Sequence, residues 1–131
     1  MPTQVASAKP NPRRALGDFG ERVAVRHLEA NGYRILDRNW RTREGEIDIV
    51  AEAEGTVAFV EVRCKRGALM GTAGESLTPA KQRRMVTMTE VYESRCSDLP
   101  PGRRIDLIAI DLTREGRLIS LQHFESAITA E

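Results

Sequence analysis

Two neighbouring runs of this chain are patterned as strands, and both carry carboxylates inside otherwise apolar sequence. The first is Gly45-Glu46-Ile47-Asp48-Ile49-Val50-Ala51, the second Val57-Ala58-Phe59-Val60-Glu61-Val62-Arg63-Cys64-Lys65. Both are rich in β-branched residues, and Glu54-Gly55 between them is a turn signal. Strand side chains alternate faces. The alternation predicts Ile47, Ile49 and Ala51 on one face of the first run, with Glu46, Asp48 and Val50 on the other. In the second, Ala58, Val60, Val62 and Cys64 form an apolar face, while Phe59, Glu61, Arg63 and Lys65 point the opposite way. A hairpin centred on Glu54-Gly55 then sets Asp48 directly across from Glu61, and Glu46 across from Arg63. Facing carboxylates repel, so the pair calls for compensation by a divalent cation with nearby Arg or Lys. A slip of one residue would put Asp48 and Glu61 on opposite faces. The plainer alternative is a hairpin with one solvated polar face. The site reading is favoured because the acids interrupt apolar runs and Arg63 and Lys65 follow on the same face.

At 131 residues the chain is the size of one domain with one core. No apolar run approaches the ~20 residues a membrane helix needs. Met1–Arg14 holds Lys9, Arg13, Arg14 and three prolines without an apolar segment. It reads as a short disordered basic arm rather than a secretory leader, leaving 15–131 as a single domain. The formal net charge is +1, so any case for nucleic acid rests on local clusters. Three are present: Arg38/Arg41/Arg43, Arg63/Lys65/Arg66 and Lys81/Arg83/Arg84. Taken singly, each is ordinarily a solvated face. Cys64 and Cys96 lie far apart with no CxxC, which gives neither a zinc motif nor a disulfide framework and fits a reducing, cytoplasmic setting. Nucleotide-loop, GxSxG and HExxH motifs are absent.

Along the chain, Ala15–Asn31 reads as a helix through Leu16, Phe19, Val23, His27 and Leu28, stopped by Asn31-Gly32. Glu21 falls at the border of that apolar arc, where taken alone it is a surface acid. Tyr33–Trp40 reads as a strand, followed by the acidic hairpin and a glycine-rich loop from Gly67 to Leu77. Thr78-Pro79 starts a second helix running to about Arg95. Arg104–Leu112 is a near-continuous apolar strand, Leu118–Leu121 a short edge strand, and the tail ends in a last helical turn. Three strands in meander followed by a helical crossover to a further strand describe an α/β or α+β fold with a mixed sheet.

These residues resemble a known family. Gly20-Glu21, Gly32-Tyr33, Arg38-Asn39-Trp40, Gly45-Glu46-Ile47-Asp48, Phe59-Val60-Glu61-Val62-Arg63, Lys81 and Arg104-Ile105-Asp106 occur in the order of the YraN-like uncharacterised protein family. The likeness covers Leu16 to Asp111. That family is similar to the PD-(D/E)XK nuclease superfamily, particularly archaeal Holliday-junction resolvases. The resemblance implies a restriction-endonuclease-like core and a site built from Glu21, Asp48, Glu61 and Arg63. Arg63 departs from the superfamily's lysine, and Lys65 follows two residues later on the same face. Arginine stays protonated and holds phosphate but is a poor base.

The reading is a Mg²⁺- or Mn²⁺-dependent endonuclease acting on DNA. Asp48 and Glu61 would ligate the metal, with Glu21 as ligand or water-orienting group, and Arg63 or Lys65 would stabilise the transition state. Arg43, Arg66, Lys81, Gln82 and Arg84 would contact nucleic acid. The alternatives are a non-catalytic nucleic-acid-binding module on the same fold and a protein-interaction adaptor. A homodimer is left open.

Overall fold

The computed structural model describes residues 11–67 and 77–129. Seven elements follow in order: α1 (Pro12–Ala30), β1 (Arg34–Thr42), β2 (Gly45–Ala53), β3 (Thr56–Arg66), α2 (Pro79–Arg95), β4 (Gly102–Leu112) and β5 (Leu118–Ile128). The strands form one sheet in the order β1-β2-β3-β4-β5. β3 and β4 run parallel, and the other neighbours are antiparallel. This mixed α+β sandwich has the element order expected of a restriction-endonuclease-like core.

Each helix covers one face of the sheet. Ala24 and Leu28 of α1 pack with Ile49, Ala51, Ala58, Val60, Ile108 and Ile110. Met88 and Tyr92 of α2 pack with Val50, Val57 and Phe59 on the other side. The face carrying Phe59 is therefore not a solvated polar face. Gly20 lets α1 approach β3 closely, because a Cβ there would lie 2.7 Å from Cys64 Cβ.

The hairpin turn has Glu54 and Gly55 both at positive φ, 49° and 78°, the pairing of a type I′ turn. It sets the expected register from Ala53↔Thr56 to Ile49↔Val60. One expectation fails. Ile47 packs with Val50, Phe59 and Met88 on the α2 face, not with Ile49 and Ala51. Alternation breaks at Asp48, across β1 from Asn39, which has a left-handed backbone at φ 52°.

Two boundaries also differ. The expected basic arm overlaps α1, which begins at Pro12. Asn11 Oδ1 accepts from the N–H groups of Arg13 and Arg14, and proline at the first position has no N–H to leave unpaired. The rest of that arm, 1–10, and most of the glycine-rich loop, 68–76, lie outside the described residues. The expected helical turn at the tail is instead the second half of β5, paired with β4 as far as Ile105↔Ile128. Its polar residues bind a buried carboxylate, Asp106, which no local pattern reveals.

Candidate functional site

Where the β2–β3 ladder ends, the side chain of Asp48 takes over from the backbone. Its Oδ2 accepts from the N–H of Val62 at 2.9 Å. The break in alternation at Asp48 lets its carboxyl border two clefts. The larger, ≈ 790 Å³, lies on the α2 side and is shared with Glu61, Arg63, Lys81 and Arg84. The smaller, ≈ 390 Å³, lies on the α1 side and is shared with Glu21 and Asn39.

Asp48 and Glu61 lie close enough for each carboxyl to perturb the other. Arg63 NH2 holds Glu61 Oε2 at 3.1 Å. Burial first, and then the charge of Glu61, push the Asp48 carboxyl up to about 8, against the Val62 hydrogen bond. Glu61 is also raised by burial, with Arg63, the bond to Asp48 and Lys81 pulling it back. The like-charge neighbour expected from sequence contributes, but desolvation is the larger cause.

Cations ring the α2-side cleft. Arg41 and Arg43 come from the end of β1 and its turn, Arg63 from β3, and Lys81 and Arg84 from the first turns of α2. Arg63 Nε is buried and has no hydrogen-bond partner among the described residues. The helix starts here because Thr78 caps it, its hydroxyl accepting from the Lys81 N–H, with Pro79 following.

The sequence-chosen residues separate into two sets. Asp48, Glu61, Arg63, Arg43, Lys81 and Arg84 meet at one cleft. Lys65 and Arg66 are exposed beyond its rim and line neither cleft. Gln82 is turned back onto the carbonyl of Leu77 at 3.2 Å. Glu21 is buried beside Asp48 but on the α1 side. Its Oε1 accepts from Arg38 Nε and NH2 (3.2 and 3.0 Å) and from Asn39 Nδ2 (2.9 Å).

Sequence reasoning noted Arg41 in a basic cluster, Glu46 on the expected Asp48 face and Asn39 in a family motif, but assigned none of them to the site. Arg41 and Glu46 border both clefts and pair at 3.0 Å. Asn39 combines a left-handed backbone with a bond to Glu21. The one signal for it was an asparagine inside a strand pattern, a residue type that tolerates that conformation.

The family resemblance implies a metal ion, and this donor set fits one only in part. Mg²⁺ and Mn²⁺ take hard oxygen ligands, and Mg²⁺ keeps several waters while using one or two carboxylates. Asp48 and Glu61 could supply those two carboxylates. Among the described residues no three His, Cys, Asp or Glu side chains converge as a ready-made cage. Glu21, fastened by Arg38 and Asn39, stands outside the pair.

A mixed sheet between two helices, with an acid pair at the open end of its central hairpin and basic side chains around it, is the arrangement of a small α+β domain with an acid-centred polar site. The chain belongs to the uncharacterised protein family UPF0102, whose sequence pattern matches residues 20–110. A UPF0102 protein of Symbiobacterium thermophilum is 44% identical over 105 residues, covering 80% of this chain and 89% of its own. One from Roseiflexus castenholzii is 42% identical over 118 residues, covering 88% and 94%. One from Myxococcus xanthus is 42% identical over 123 residues, covering 94% and 96%. None of the helices among the described residues is long and apolar enough to cross a membrane.

Proposed function

We propose that this protein is a divalent-metal-dependent nuclease acting on DNA, with Asp48 and Glu61 at its centre. The observation that carries the reading is the partly buried acid pair Asp48 and Glu61 lining a cleft ringed by Arg41, Arg43, Arg63, Lys81 and Arg84. An acid pair inside a basic cleft suits a phosphodiester, whose negative charge the basic rim attracts and whose hydrolysis needs a cation at the acids.

Mg²⁺ or Mn²⁺ at this site would supply charge neutralisation and a water of lowered pKa. The chain's own residues do the rest. Asp48 is oriented by the Val62 N–H, and Glu61 by Arg63. Arg63 stays protonated and holds charge at the reacting phosphate rather than removing a proton. Its Nε, buried and without a hydrogen-bond partner among the described residues, is a donor left for a phosphate oxygen while NH2 stays on Glu61. Lys81 and Arg84, with the N-terminus of α2, hold the adjoining backbone. Glu21, kept in place by Arg38 and Asn39, orients water on the α1 side of Asp48.

A second reading, DNA binding without hydrolysis, is favoured by Arg63 itself, because the residue beside Glu61 cannot serve as a base. One experiment separates the two. Linear, flapped and four-way-junction DNA are incubated with the protein and Mn²⁺, and in parallel with chelator. The nuclease reading expects metal-dependent cleavage that Asp48→Asn abolishes. Salt-sensitive binding with no cleavage on any substrate leaves the binding module standing. Loss of both sinks the nucleic-acid reading.

A further inference from the structure

We propose that His27 and His123 form a binding site for one borderline transition-metal ion, Zn²⁺ or its neighbours Cu²⁺ and Ni²⁺, separate from the acid pair. The two residues lie by the closed end of the β2–β3 hairpin, whereas Asp48 and Glu61 lie at its open end. They share a cavity of ≈ 540 Å³ with Tyr33, Glu54, Arg104 and Glu125.

The imidazoles face each other nitrogen to nitrogen. His27 Nε2 and His123 Nδ1 are 3.1 Å apart, with the rings edge-on at 74°. Behind them stands Asp106, fully buried, whose Oδ2 lies 2.8 Å from His123 Nε2. Asp106 also accepts from the guanidinium of Arg104 and from the N–H of Ser126. An ionised carboxylate only accepts, so His123 carries its proton on Nε2 and leaves Nδ1 with a lone pair. This tautomer, with a carboxylate behind it, is how a ligating histidine is held.

The spacing suits two ligands of one ion. Nitrogens ~2.0–2.1 Å from a zinc-like ion and 3.1 Å apart subtend about 100° at the metal, close to tetrahedral. Binding moves the His27 proton from Nε2 to Nδ1. At that atom the neighbour is Asn31 Nδ2, at a long 3.5 Å and exposed. No net proton is released. Water completes the coordination, since among the described residues no third His, Cys, Asp or Glu side chain converges with this pair. The positive charge of Arg104 is already matched by Asp106 and by Glu125 at 3.7 Å. Imidazole selects Zn²⁺, Cu²⁺ and Ni²⁺ over Mg²⁺ and Ca²⁺. An ion here ties the last turns of α1 to β5 and stabilises the folded chain by mass action.

The test is a Zn²⁺ titration of the full chain, followed by long-range ¹H–¹⁵N NMR of the histidine rings and by thermal unfolding. One equivalent should shift His27 Nε2 and His123 Nδ1 together and raise the melting temperature, while Mg²⁺ leaves both signals still. His27→Gln and His123→Gln should each lose saturable binding. Asp106→Asn should weaken it about 10–100-fold, and Asp48→Asn should leave it intact. Ring signals unchanged at saturating Zn²⁺ would show a polar clamp and overturn the site, even if neither histidine variant folds. Binding that survives His27→Gln and disappears with Asp48→Asn would do the same, by placing the ion at the acid pair.

Discussion

Asp48 and Asp106 are both withdrawn from solvent, yet their titrations move in opposite directions. Burial pushes both upward. At Asp48 it is opposed by one backbone N–H and reinforced by Glu61, Glu46 and Glu21, so the carboxyl rises to about 8. At Asp106 the bonds from His123, Arg104 and the Ser126 N–H outweigh burial, and the carboxyl falls below its ordinary value. Donors, not depth, decide the sign. Asp106 is a completed structural network. Asp48 has one backbone donor and three acidic neighbours.

The comparison breaks most directly by deleting each acid. Asp106→Ala leaves the Arg104 guanidinium and the Ser126 N–H without their acceptor. It should cost ~3–5 kcal/mol, the range for breaking a buried ion pair. Asp48→Asn should be neutral near pH 4 in metal-free buffer and stabilise progressively as pH rises towards 8, since the amide oxygen still accepts from Val62 and no poorly compensated charge develops. Urea denaturation measures both, and equal losses would end the distinction.

Next in size is the contribution of Arg63. Arg63→Ala should lower cleavage on the order of 10²–10³-fold, the cost of removing a transition-state charge donor. Lys65→Ala should change binding modestly and reduce its salt dependence, because Lys65 stands outside the cleft. Cleavage abolished by Lys65→Ala but not by Arg63→Ala would reverse the assignment.

Stability against pH sharpens the contrast further. A raised carboxyl contributes stability that is full below its unfolded pKa and lost as pH rises through its folded value. The Asp48 contribution should therefore drain away between about pH 4 and pH 8 in the absence of metal. The lowered Asp106 carboxyl does the reverse, stabilising above its unfolded pKa and losing that as pH falls through its folded pKa. Asp48→Asn should flatten the slope on the neutral side and leave the acid limb alone. Denaturation midpoints across pH 3–9 decide this.

The smallest effect is spectroscopic. Mg²⁺ should lower the pH at which the Asp48 side-chain carboxyl titrates and leave Asp106 unmoved, as read from carboxyl ¹³C shifts. Carboxyls at Asp48 and Glu61 that ignore Mg²⁺ would remove the case for a shared ion.

Much of this molecule was legible in its residues because the deciding interactions are local. Glu54-Gly55 dictates a tight turn, and the turn dictates the register as far as Ile49↔Val60, one step short of Asp48 and Glu61. Thr78-Pro79 starts α2, and α2 delivers Lys81 and Arg84 to the same cleft. The tertiary structure alone decided what depends on distant partners. Tail residues 122–128 extend β5 because they pair with β4 and complete the Asp106 network, contacts some 20 residues away in sequence. Ile47 crosses to the α2 face because Asn39, on the neighbouring strand, breaks the alternation at Asp48. Glu21 is committed to Arg38 and Asn39 of β1, which come to it only when α1 settles on the sheet, helped by its close approach to β3 at Gly20. Periodicity reports which way a side chain points along its own element. Whether a buried charge is satisfied depends on donors from other elements, and these meet only in the folded chain.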